Sequence, residues 1–88
     1  SQVFSRMILV YKNANRYEDA KKAIERSRLV LDKDDPFADK QTLALLLETG
    51  KRQEALQTVR ASRQKFPNDE SLVRQEAMIM AESGKVEE

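Results

Sequence analysis

The side chains with the most chemical capacity in this chain are carboxylates set next to one another, at Asp32-Lys33-Asp34-Asp35 and at Glu87-Glu88. Histidine and cysteine are both absent. That removes the usual general base, the usual nitrogen metal ligand and any thiolate or disulfide. The Asp32–Asp35 run has the look of a calcium loop but lacks the glycine and the closing glutamate of that motif, so it reads as a helix-capping linker. Asp34/Asp35 and Glu87/Glu88 fall at a loop and at a chain end, where no fixed geometry is expected. No glycine-rich phosphate loop, HExxH or nucleophile motif occurs. The chain is therefore read as no enzyme, with no catalytic, cofactor-binding or metal-ligating residue and no cofactor.

Cations form two clusters. Lys51, Arg52, Arg60, Arg63 and Lys65 stand against a single acid, Glu54, and Lys21, Lys22, Arg26 and Arg28 are interleaved with Glu18, Asp19 and Glu25. A phosphate-binding surface would use such clusters, yet no aromatic accompanies the second for base stacking. The whole chain carries 16 basic and 15 acidic residues, a net charge of +1. Solvated helix faces with local ion pairs are the expectation, and nucleic acid is not expected as a partner. No apolar run is long enough for a membrane span, and no signal-peptide pattern precedes Gln2-Val3-Phe4. The missing initiator Met at Ser1 suggests a segment of a longer protein. A cytoplasmic parent is the first expectation, a periplasmic or membrane-attached one the alternative.

The elements that must carry these residues are helices. Only two Gly and two Pro occur in 88 residues, and all four sit at inferred turns. Phe4, Met7, Ile8 and Tyr11 form an apolar stripe on a first helix, residues 3–13. Ala20, Ala23, Ile24, Ser27 and Leu31 form the inward face of a second, residues 17–31. Asp35 as N-cap and Pro36 at the first helical position open a third, residues 36–49. Its run Leu43-Ala44-Leu45-Leu46-Leu47 is apolar nearly all round, as in a helix buried on more than one side. A fourth lies between Gly50 and Pro67-Asn68-Asp69, with Ala55, Val59, Ser62 and Phe66 inward. A fifth runs over residues 70–83 with Val73, Ala77 and Met80 as its stripe. Gly84 is expected to end it, leaving Lys85-Val86-Glu87-Glu88 as the first turn of a sixth.

These segments repeat. Ala20 and Ala55 are 35 residues apart, and Gly50 and Gly84 are 34 apart. Ile24 and Val59 follow their alanines by four, Ser27 and Ser62 by seven, Leu31 and Phe66 by eleven. Two helices per period of about 34 is the pattern of a solenoid. On Phe4, Met7, Ile8, Tyr11, Ala20 and Ile24, then Leu46, Ala55, Val59 and Pro67, then Val73, Ala77 and Met80, the chain resembles the tetratricopeptide repeat family. It departs at Asp32 where proline is usual, at Asp39 and Thr42 where apolar residues are usual, at Leu43 where a small one is, and at Glu76. The resemblance implies an all-α, right-handed superhelical stack of antiparallel helix pairs. About two and a half repeats fit, as units 1–35, 36–69 and a partial 70–88 of one domain.

By the same resemblance, the first helix of each unit lines a concave groove that takes a peptide or helix of a partner protein. The groove residues carried onto this chain are Leu9, Lys12 and Asn13; Phe37, Lys40, Ala44, Leu47 and Glu48; and Arg74, Met78 and Glu82. Members of the family that clamp the acidic tails of chaperones use cations and asparagines at places where this chain has Ser5, Leu9, Gln41, Ser71 and Gln75. No charge-assisted bond to a carboxylate is available there, so no chaperone C-terminal clamp is expected. The alternatives to a protein-binding scaffold are a structural spacer or self-assembly segment and a nucleic-acid-binding repeat. The stripe Val73, Ala77 and Met80, open to a missing sixth helix, gives an expectation of weak self-association through the C-terminal helix.

Overall fold

The computed structural model describes residues 2–87, with side chains through residue 82. The described residues form five helices packed in succession: α1 (Gln2–Asn13), α2 (Tyr17–Val30), α3 (Phe37–Glu48), α4 (Arg52–Lys65) and α5 (Glu70–Glu87). The chain divides into two compact units, Ser1–Thr42 and Leu43–Glu88, and the division falls inside α3. In the first unit α1 packs on α2, and in the second α4 packs on α5.

Each unit buries its own core. Ile8 of α1, Ala20, Ala23, Ile24 and Ser27 of α2 and Ala38 of α3 are buried in the first. In the second, Leu43, Ala55, Val59, Leu72 and Ile79 form one cluster, with Leu46, Leu47, Leu56 and Phe66 packed against it. Ala20 and Ala55 have no exposed surface at all. A residue this small lets two helix axes approach closely, and the larger neighbours fill the space beside the crossing. The buried Ser27 hydroxyl donates to the Ile24 carbonyl at 2.6 Å, which satisfies it without a distant partner.

The helix ends repeat as closely as the cores. Asn15 adopts φ 60° and Gly50 φ 77°, the left-handed conformation that closes a helix. At the first, Arg16 N–H donates to Tyr11 O and Asn15 N–H to Lys12 O. At the second, Lys51 N–H donates to Leu46 O and Gly50 N–H to Leu47 O. Both are the paired six-to-one and five-to-two bonds of a Schellman ending, 35 residues apart. Asp35 and Asp69 cap the helices that follow by accepting the backbone N–H of Phe37 and Ser71, each at 3.0 Å.

Several expectations are corrected. Helix α5 does not stop at Gly84 but continues to Glu87, so the last residues are no start of a sixth helix. One glycine inside a helix costs about 1 kcal/mol relative to alanine and does not by itself break it. Val73, Ala77 and Met80 are exposed, as expected of the open side of α5, while the inward side is Leu72 and Ile79, and Leu72 is a core residue that the stripe did not name. The two stripes differ by a one-residue rotation, about 100° on a helix. Tyr11 and Leu46, expected in the core, are half-buried, and the fully enclosed residues beside them are Ile8, Leu43 and Leu45. No member of the run Leu43–Leu47 is exposed, as its unbroken apolarity suggests.

Candidate functional site

The expected groove residues fall on three helices. On α1, Leu9 and Asn13 are exposed and Lys12 is half-buried. On α3, Phe37, Lys40, Ala44, Leu47 and Glu48 recur at helical spacing along one side, half-buried except for the exposed Glu48. On α5, Arg74, Met78 and Glu82 follow one another at four-residue steps and are all exposed. Two of these residues already have structural work within the second unit. Leu47 packs against its core, and Glu82 faces Arg52 of α4 at 3.4 Å. Lys12, Lys40 and Glu48 are not free side chains either.

The off-pattern acids, which the repeat alone does not explain, are ion-pair acceptors. Arg28 of α2 places Nη1 2.6 Å from Asp39 Oδ1 and donates through Nη2 to Thr42 Oγ1 at 3.2 Å. Thr42 in turn donates to the Ala38 carbonyl. Asp39 is buried, so its charge is held by the guanidinium rather than by bulk water. In the second unit Arg63, 35 residues beyond Arg28, binds Glu76 through Nη1, and Arg60 binds the other carboxylate oxygen at 3.0 Å. Hydrogen bonds from Arg63 and then Arg60 hold the Glu76 carboxyl below its ordinary value, outweighing the effect of burial. Asp39, Thr42 and Glu76 thus make polar fastenings between successive helices. The two arginines share a register 35 residues apart, but their acids lie 11 and 13 residues on, so sequence spacing alone does not pair them.

These pairs also reassign the cations of α4. Arg52, Arg60 and Arg63 each face an α5 carboxylate, and Lys65 is not free. On α2, Arg28 is engaged while Lys21, Lys22 and Arg26 have no partner among the described residues. Nearby, Arg16 holds Asp19 at 2.6 Å and lies over the Tyr11 ring at 5.6 Å.

Among the described residues no group of three or more carboxylates could hold a metal ion, and no helix is long and apolar enough to cross a membrane. The chain matches no protein-family model, and no curated protein or solved structure is significantly similar to it.

Proposed function

We propose that this chain is a segment of a tetratricopeptide-like helical repeat whose first helices take a peptide or helix of a partner protein. The observation that carries the reading is the 35-residue recurrence of local structure. The same Schellman closure stands at Asn15 and Gly50, and the same fully buried alanine at Ala20 and Ala55. The N–H of Leu31 and that of Phe66 each return to the carbonyl of the buried serine four residues before, Ser27 and Ser62. Repetition of both cap and core is what a right-handed stack of helix pairs requires of its sequence. In that stack the sides of α1, α3 and α5 that carry Leu9, Phe37, Ala44 and Met78, with Lys12, Lys40 and Arg74 beside them, line the concave groove. A mixed apolar and charged lining suits an amphipathic helix or extended peptide.

Peptides selected from a random display library against the 88-residue chain test this. Binding of the selected peptides is expected to be lost on Leu9→Glu and on Met78→Glu. Both side chains are more than half exposed, so neither change should unfold the chain. Selected peptides that bind both variants as well as the parent would overturn the groove. A second reading, a self-assembling spacer, is favoured by one observation: Val73, Met78 and Met80 leave an apolar stretch of α5 uncovered. Selection of no peptide, together with concentration-dependent association, would establish that reading instead.

A further inference from the structure

We infer a second docking face, distinct from the groove, on the α1–α2 hairpin, and its occupant is an acidic amphipathic helix of a partner protein. Three adjoining hollows make the face. One runs along α1 past Val3, Arg6, Met7 and Val10 to Tyr11. Met7 and Tyr11 also line the second, between α1 and α2, whose far wall is Lys22 and Arg26. Those two cations line the third, which ends at Leu29. Apolar side chains are spread along it without cover: Val3 is 71% exposed, Val10 58% and Leu29 87%.

The register positions 35 residues on show how unusual this is. Val3 and Val10 correspond to Ala38 and Leu45, each only 5% exposed. Leu29 corresponds to the polar Gln64. The repeat therefore covers these positions of a first helix, or makes them polar, and the first hairpin does neither.

Charge decides what fits. Arg6, Lys22 and Arg26 have no partner among the described residues. Their register equivalents are Gln41, Gln57 and Ala61, so the cationic rim belongs to this hairpin and not to the repeat. Of the acids beside it, Asp19 is taken by Arg16 and Glu25 faces Arg28, which leaves Glu18 at the outer edge. An apolar floor under three unpaired cations complements a helix with leucine-like residues on one side and carboxylates flanking them.

A second copy of this chain is a poor match. Its helix faces join through Arg28 or Arg63 reaching an acid on the following helix. Helix α1 offers no acid and would set Arg6 against that arginine. The acids that flank its apolar faces, Asp39, Glu76 and Glu82, are already paired. Nucleic acid would use the cations but would leave Val3, Val10 and Leu29 exposed.

The test titrates the isotope-labelled 88-residue chain with a designed amphipathic peptide bearing leucines on one side and glutamates flanking them. Amide shifts are expected to change along α1 and α2, and a lysine-flanked version of the peptide is expected not to bind. Reversing all three cations together, with Arg6→Glu, Lys22→Glu and Arg26→Glu, should weaken binding by roughly tenfold or more. Leu9→Glu and Met78→Glu should leave it unchanged, which separates this face from the groove. No binding, binding indifferent to the charge reversal, or shifts confined to α3 and α5 would overturn the proposal. So would tighter binding of an oligothymidylate to the same cations, or self-association of the chain through the same residues.

Discussion

Arg28 and Arg63 show how one residue type at one register fastens successive helices. Each guanidinium reaches a carboxylate on the next helix, Asp39 or Glu76, while its own side chain stays partly exposed. Glu76 also carries a pH signature. Its folded pKa is depressed below 4.5 by Arg63 and Arg60, so the native state binds its proton less readily than the unfolded chain does. The pair therefore contributes stability above the unfolded value, and that contribution is lost as pH falls through the lower folded one. Glu76→Gln is expected to destabilise by about 1 kcal/mol at pH 7, since both arginines are partly solvated. Thermal melts at pH 7 and pH 3 check the sign: the gap between parent and variant should shrink at the lower pH. The alanines give a second expectation at this scale. Ala55→Leu inserts three carbons where no surface is open, and overpacking should cost about 1–3 kcal/mol. A neutral melt would mean that α4 has slack at this point which the buried core does not show.

Helix ends, more than helix interiors, give the elements their bounds. Asn15 and Gly50 hold the same left-handed place at the ends of α1 and α3, and both residue types tolerate it. A methyl group built on Gly50 meets nothing within 4 Å. The cost of Gly50→Ala is therefore conformational rather than steric, about 1 kcal/mol. Gly50→Asn should be milder, because asparagine already serves at Asn15, and the order of melting temperatures should be Gly, then Asn, then Ala. Gly84 has no such role, lying within α5 rather than after it. The same letter thus marks a boundary at one site and none at the other. What separates them is the neighbourhood: Gly50 is followed by the return bonds of Lys51 and by a new helix packing back.

For the whole molecule, the uncovered apolar side chains set the expectations. Val73, Met78 and Met80 on α5 are about half exposed and belong to the second unit, not to the cationic face of the first hairpin. Light scattering over a range of concentrations is expected to show weak association, reduced by Val73→Glu or Met80→Glu at little cost to folding. A strictly monomeric parent at high concentration would remove the self-assembly reading and leave the peptide groove and the cationic hairpin face as the binding surfaces.

The all-helical class, the number of described helices, the turn at Gly50, the cap at Asp35 and the buried faces of α2 and α4 all follow from sequence. They are local properties: periodicity, capping chemistry and small residues at fixed spacing act within a turn or two of helix. Tertiary structure decided the rest. Leu72 and Ile79 enter the core, because the apolar residues of α5 span too wide an arc for periodicity to choose the inward side, and packing on α4 chose. Asp39 and Glu76 are fastenings rather than faults because Arg28 and Arg63 come to them from other helices, 11 and 13 residues away. Which apolar residues stay open on α1 and α5 is likewise set by what packs beside them, a relation between elements that no single helix encodes.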